Sequence, residues 1–232
     1  MKVLVAIPAL NEAETIKDVI LEIRKNANHD VLVVDDGSSD ETGQVAVEAG
    51  ATVLTHPFNV GVGAAMRTAF SYALRMDYDV VVQIDADGQH PPKEMQRIID
   101  LLAFSDVGIG SRLFEKTSYN FSMPRRIAIR TLSNLLLVLT GNRIYDPTSG
   151  FRASNRKAIK IFSEHYPSEY LGDTVASLLI ASRYGLEITE TKVEMLTRQG
   201  GIPSQNTFRS IFLLARVIMV LIITKFRKLD KN

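Results

Sequence analysis

VVVQIDADGQHPP, residues 80–92, is the stretch whose reading decides the fold. An apolar run over 80–84 stops at Asp85, and Pro91 and Pro92 then mark the start of a helix whose Met95, Ile98, Ile99 and Leu102 recur at helical spacing. A short β-branched run bounded by acids and glycine reads as a strand buried on both faces. Outward from it, VLVAI (3–7), VLVV (31–34), TVL (52–54) and VGI (107–109) repeat that signature, and Ile16, Val19, Ile20 and Ile23 form a helical stripe between the first two. Strands alternating with helices predict an α/β fold, a mostly parallel Rossmann-like sheet flanked by helices. Ligands in such sheets gather at the carboxyl ends of the strands, where the acidic motifs of this chain fall. From about residue 114 the alternation fades into predicted helices over 125–139 and 171–182 and a strand within 186–195. This half is expected to complete the same domain.

Composition sets outer bounds. The 232 residues, 46% hydrophobic and 23% charged, suffice for one substantial core. A net charge of +1 gives no bias toward nucleic acid, and the absence of cysteine excludes disulfides and thiolate metal sites. The N-terminal apolar run meets Pro8 too soon for a signal-peptide core, and no stretch reaches the roughly 20 apolar residues of a spanning helix. The expected division is a domain over 1–206 and a basic, apolar helix over 207–232.

Four segments carry candidate chemistry. Asp85 and Asp87, two apart at a strand mouth with Gln89 following, repel each other unless a cation intervenes, and an all-oxygen set suits Mg²⁺ or Mn²⁺. D-G after a strand is also ordinary turn chemistry. Asp35 and Asp36 end the second strand, where a carboxylate can accept from a base or a ribose, or simply turn the chain. IPALNE holds Pro8, Asn11 and Glu12, with Asn11 placed to cap a helix, and it lacks the G-x-G-x-x-G and P-loop patterns. Gly61, Gly63, Ala64 and Ala65 open a helix at which backbone N–H groups, with Arg67 adding charge, are suited to a phosphate or nucleotide. Close helix packing is the plainer alternative for these small residues.

Taken in order, IPALNE, VVDDGSSD, NVGVGAA, DADGQH, GSR (110–112) and DPTSGFR (146–152) resemble the family 2 glycosyltransferases, and within them the dolichol-phosphate mannosyltransferase and polyprenyl-phosphate glycosyltransferase branch. The resemblance runs from residue 2 to about residue 201. It implies a GT-A fold, a nucleotide-sugar donor (UDP- or GDP-sugar), a divalent metal and a lipid-phosphate acceptor. By position it implies that Pro8, Glu12 and Asp36 hold the nucleoside, that Asp85, Asp87 and Gln89 fall on the metal-binding pattern, and that Arg112 and Arg198 embrace the donor and acceptor phosphates with Arg126 and Arg130 beside them. The pattern departs near the C-terminus: ETKVEMLTR keeps Glu190 and Arg198, but Lys192 stands in place of a proline, and Ser204 falls one place late after Gly201.

A lipid phosphate is already anionic, so such a transfer needs charge stabilisation at the leaving nucleoside diphosphate more than a base. Asp87, Arg112 and Arg198 are therefore the expected catalytic groups, acting by single displacement with inversion. A saccharide hydroxyl acceptor would require a base, for which Glu169 and Asp173 are candidates. The apolar run from Ile211 to Ile223, about 13 residues or roughly 20 Å of helix, is shorter than a bilayer core. Flanked by Arg209, Lys225, Arg227 and Lys228, it predicts an interfacial helix or a docking face for a membrane-protein partner or a second copy, and places the chain peripherally on the cytoplasmic side of a membrane. Competing expectations are a saccharide-extending transferase, a nucleotidyltransferase and a catalytically silent nucleotide-binding subunit.

Overall fold

A computed structural model describes residues 1–113, 123–168 and 173–196. Arg198, Glu169, Gly201, Ser204 and the expected helix over 207–232 lie outside them.

The strands are β1 (Val3–Ala9), β2 (Asp30–Asp35), β3 (Thr52–Thr55), β4 (Val80–Gln83), β5 (Val107–Ser111), β6 (Arg152–Asn155) and β7 (Ile188–Lys192). The helices are α1 (Ile16–Asn26), α2 (Thr42–Glu48), α3 (Val62–Arg75), α4 (Met95–Asp100), α5 (Met123–Thr140), α6 (Arg156–His165) and α7 (Asp173–Arg183). One sheet runs β3-β2-β1-β4-β6-β5-β7, and every pairing is parallel except those of β6. The parallel α/β expectation therefore holds, with β6 as an antiparallel insert that sequence reasoning missed. RASN is short and polar and has no apolar alternation to betray it.

Successive residues of a strand face opposite sides of the sheet, and β1 divides its apolar side chains accordingly. Leu4 and Ala6 join a core with α3, α5, α6 and α7, while Val3, Val5, Ile7 and Ala9 join one with α1, α2 and α4. A strand buried on both faces must be apolar throughout, which is why it reads as a run rather than an alternation.

Proline inside a central strand is unusual because it withholds a ladder donor. Here β4 pairs with β1 only as far as Ala6↔Gln83, and Ile84 N–H donates to the Ala6 carbonyl at 3.0 Å. Pro8, two residues on and pointing the same way, therefore sits beyond the end of β4 and forfeits no strand pairing. The sheet order reverses at this place, since β2 and β3 lie to one side of β1 and β4 to the other. The crevice between the carboxyl ends of β1 and β4 is thus the topological switch point, where open α/β sheets bind their ligands.

Candidate active site

Two loops are laced together on the β1 and β2 side of the crevice. Asn11 takes a positive φ of 54°, a conformation asparagine tolerates better than most residues. Its N–H donates to Ser38 Oγ at 2.9 Å, and its Oδ1 accepts from Ser39 N–H at 2.8 Å. Glu12 N–H donates to Thr42 Oγ1 at 2.8 Å, and Glu12 Oε2 accepts from Thr15 Oγ1 at 3.1 Å. The capping expected of Asn11 is therefore a cross-loop link. Pro8 and Glu12 stand half-buried at the crevice mouth.

Asp36 is buried, and its carboxylate is engaged inside the chain. Oδ1 meets His56 Nδ1 at 2.7 Å and accepts Val60 N–H at 3.1 Å, while Oδ2 accepts Gly61 N–H at 2.7 Å. His56 Nε2 continues to Thr68 Oγ1 on α3 at 2.9 Å. Asp36 thus fixes the loop that leads into α3, a role sequence reasoning did not foresee because the partners lie 20 to 25 residues away. Asp35 is likewise buried and accepts Ser38 N–H at 2.9 Å.

At the α3 entrance Gly63 takes the close-packing alternative, and Arg67 makes a contact with α6. Gly63 is a packing glycine, because a Cβ there would lie 2.1 Å from the Pro167 carbonyl oxygen and 3.0 Å from Asp173 Cβ. Arg67 directs its guanidinium to α6, where Nε donates to the Ser163 carbonyl at 3.4 Å, so its charge is drawn to a neighbouring helix. The tight contact of α3 with α6 and α7 accounts for both, and only tertiary placement reveals it.

Across the crevice, β4 delivers the acidic motif. Asp87 Oδ1 accepts Gln89 N–H at 3.0 Å, and Gly88 turns the loop at φ 73°. The Asp85 side chain is 39% exposed. It is bounded by Gln83, whose Nε2 donates to Oδ1 at 3.4 Å, and by Gly150, where a Cβ would come within 3.2 Å of both carboxylate oxygens. No cluster of three or more His, Cys, Asp or Glu able to hold a metal occurs among the described residues. Two carboxylates and an amide oxygen nevertheless fit a hard divalent ion, which commonly takes one or two protein carboxylates and completes its shell from substrate phosphates and water. The residues present therefore suit such an ion together with a diphosphate.

A buried ion pair stands behind the crevice. Arg112 Nε and Nη2 donate to the two oxygens of Asp146 at 2.7 and 2.9 Å, Nη2 also donates to Thr148 Oγ1 at 2.9 Å, and Arg112 N–H donates to Asp146 Oδ2 at 3.1 Å. Burial pushes the Asp146 carboxyl up, but the hydrogen bonds and charge of Arg112 outweigh this and hold it below the usual carboxylate range. Glu190 on β7 accepts Tyr145 N–H at 2.6 Å and Asp146 N–H at 2.9 Å. Arg112, expected among the phosphate ligands, thus spends two guanidinium nitrogens organising the DPTSG loop, and Glu190 fixes the same loop from the other side.

Just before that loop, Arg143 and Tyr145 line a groove of about 610 Å³ with Leu113 and with Arg126, Ile127, Arg130 and Ser133 of α5. The structure therefore brings Arg126 and Arg130 together, and Arg143 joins them without having been anticipated. Arg143 also lies over the Tyr145 ring, 5.9 Å from its centroid. Asp173, at the start of α7, is buried, and its Oδ2 has no hydrogen-bond partner among the described residues. Burial, with a contribution from the Asp85 charge and against that of Arg152, raises its carboxyl to about 6.

Comparison with known proteins agrees with this geometry. The model of a family described as glycosyl transferase family 2 matches residues 4–162. The undecaprenyl-phosphate mannosyltransferase of Micrococcus luteus is 30% identical over 209 residues, covering 87% of this chain and 86% of that protein. The polyprenol monophosphomannose synthase of Mycolicibacterium smegmatis is 34% identical over 168 residues, 68% of this chain and 63% of the other. The UDP-N-acetylglucosamine–dolichyl-phosphate N-acetylglucosaminyltransferase of Methanococcus voltae is 27% identical, covering 82% of this chain and 84% of that protein. Among solved structures, glucosyl-3-phosphoglycerate synthase from Mycobacterium tuberculosis, crystallised with Mn²⁺ and uridine diphosphate, superposes with a TM-score of 0.74 at 21% identity, covering 99% of this chain and 81% of that one. The likeness identifies the fold as the GT-A arrangement.

Proposed function

The chain belongs to glycosyl transferase family 2, and from that premise we propose that it moves a sugar from a UDP- or GDP-sugar to a polyprenyl or dolichyl phosphate with inversion at the anomeric carbon. The observation that carries this reading is the pairing of an acidic crevice at the switch point with a groove lined by Arg126, Arg130 and Arg143, in which Tyr145 is held by Glu190. Relatives named for transfer to undecaprenyl, polyprenol and dolichyl phosphates support the acceptor class.

In this reading Pro8 and Glu12 border the nucleoside, and Asp36 keeps the loop into α3 in place through His56, Val60 and Gly61. Asp85, Asp87 and Gln89 hold Mg²⁺ or Mn²⁺, which when bound supplies positive charge to the departing nucleoside diphosphate. Arg126 and Arg130, with Arg143 beside them, hold the acceptor phosphate, whose oxygen forms the bond to the anomeric carbon as the bond to the diphosphate oxygen breaks and that oxygen keeps the electron pair. Arg198 is assigned to the same phosphates by its place in the motif.

The groove also suits a lipid surface. Met123, Ile127 and Val138 on α5 are 68%, 61% and 78% exposed. No helix among the described residues is long and apolar enough to cross a membrane. We therefore assign the chain a peripheral position on a membrane, aided by the basic segment 207–232. Liposome flotation with and without that segment checks the assignment, and unchanged flotation without it refutes the part given to the segment.

The decisive experiment follows nucleoside diphosphate release from UDP- and GDP-sugars with Mn²⁺ or Mg²⁺, with and without polyprenyl phosphate, in wild type and Asp87→Ala. The expected result is metal- and lipid-dependent release that falls at least about 100-fold in the variant, the scale of losing a main electrostatic contact to the leaving group. Lipid-independent transfer to a saccharide would instead favour a hydroxyl acceptor, with the buried Asp173 as base. Donor binding without turnover on any acceptor would identify a silent subunit. Retained configuration in the product NMR spectrum would exclude single displacement.

A further inference from the structure

His90 is buried, stands five residues past Asp85, and is not used by any step above. Asp85 N–H donates to its Nδ1 at 3.0 Å. A backbone N–H can only donate, so Nδ1 carries a lone pair and the ring proton resides on Nε2. That Nε2 lies 3.6 Å from Asp85 Oδ2, beyond hydrogen-bond distance. The imidazole plane is set by stacking on Phe151, with centroids 5.0 Å apart and planes 13° from parallel. Gly150, the residue before Phe151, leaves the gap that the Asp85 carboxylate occupies.

We propose that His90 is a positioning residue for the acidic motif, a tautomer-locked acceptor that ties the backbone of Asp85 to the DPTSGF segment and so aims the Asp85 carboxylate into the crevice. The inference rests on the reading of Asp85 and Asp87 as metal ligands. A two-residue carboxylate motif on a loop containing a glycine has little rigidity of its own, and groups behind the ligands commonly set metal affinity. The motif is held from both ends: His90 anchors Asp85, and Gln89 C=O accepts Leu196 N–H at 3.0 Å from the segment after β7. A ring that merely filled space would need only the stack on Phe151. The backbone hydrogen bond is the additional feature, and it can be removed while the stack is kept.

The test compares His90→Phe, which keeps an aromatic ring on Phe151 but has no acceptor, with His90→Asn, whose Oδ1 falls close to the place of Nδ1. Mn²⁺ binding in the presence of UDP is read from the paramagnetic resonance signal of free Mn²⁺, so no turnover is required. The melting temperature of each metal-free variant is measured in parallel. His90→Phe is expected to bind Mn²⁺ about 10- to 100-fold more weakly, the range typical of losing a group behind a metal ligand, and His90→Asn to recover most of that loss. Wild-type affinity in His90→Phe, or equal weakening in both variants, overturns the proposal while leaving the metal reading intact. Equal Mn²⁺ binding by wild type and Asp87→Ala overturns the metal reading, and the proposal with it. Long-range ¹H–¹⁵N NMR of the wild-type, metal-free protein tests the tautomer without any variant. A proton on Nδ1 would refute the lock, and a pyridine-type Nδ1 is the expected signal.

Discussion

Replacing Asp146 with alanine isolates the physics that holds the loops behind the crevice. In the folded chain Asp146 is 0% exposed and the Arg112 side chain 9%, and two guanidinium nitrogens meet the two carboxylate oxygens. Removing the carboxylate takes the Asp146 charge from a buried guanidinium and the acceptor from Arg112 N–H, a combination that costs about 3–5 kcal/mol. For a chain of this length each kcal/mol moves the melting temperature by about 2–4 °C, so a drop of roughly 6–20 °C is expected. The pH dependence has a definite sign. Because the folded Asp146 carboxyl lies below its ordinary value, the stability it confers is full above the usual carboxylate range and is lost only as pH falls through the depressed value. The gap between wild type and Asp146→Ala should therefore be constant across neutral pH and close in acid. Urea denaturation at several pH values measures it, and the apolar pair Arg112→Met with Asp146→Leu should regain much of the loss, since replacing both partners leaves neither half of the broken pair buried. A loss below about 1 kcal/mol, or a double variant no more stable than Asp146→Ala, would refute the argument, because a broken buried pair must cost more than an exposed one.

Three further outcomes are expected. Asp173→Asn should stabilise the chain at neutral pH: its folded carboxyl is raised to about 6 from the ordinary 3.8, so the native state holds the proton longer and stability falls as pH climbs through that interval. The gain above pH 6 is at most about 3 kcal/mol, and parallel urea midpoints at pH 5 and 8 for both proteins would contradict it. Gly63→Ala forces a Cβ to within 2.1 Å of the Pro167 carbonyl oxygen, and overpacking of this kind costs about 1–3 kcal/mol, read as a lower denaturation midpoint. An unchanged midpoint would show that the backbone at Pro167 yields freely. Arg126→Gln and Arg130→Gln should each raise the KM for polyprenyl phosphate about tenfold, the loss of one charge-assisted contact, with the donor KM unmoved. Equal losses for donor and acceptor would remove these residues from the acceptor groove.

The amino-acid sequence alone determined the α/β class, the first five strands, the helix faces and the address of the acidic motif. Each follows from short-range rules: a doubly buried strand must be a continuous apolar run, and a core-facing helix must repeat its apolar residues every three to four positions. The acidic positions at the ends of β2 and β4 were legible for the same reason, since those carboxylates interrupt the apolar runs. Only the tertiary structure decided what the side chains at those addresses touch. Asp36 meets His56, Val60 and Gly61, Arg67 turns to α6, Gly63 admits the Pro167 carbonyl, and Arg112 is bound to Asp146. The antiparallel β6 was hidden because polar RASN is buried by its neighbours rather than by its own pattern. A hydrogen bond or ion pair depends on distances of about 3 Å between groups that lie 20 to 100 positions apart, and no local period in the sequence encodes such a distance.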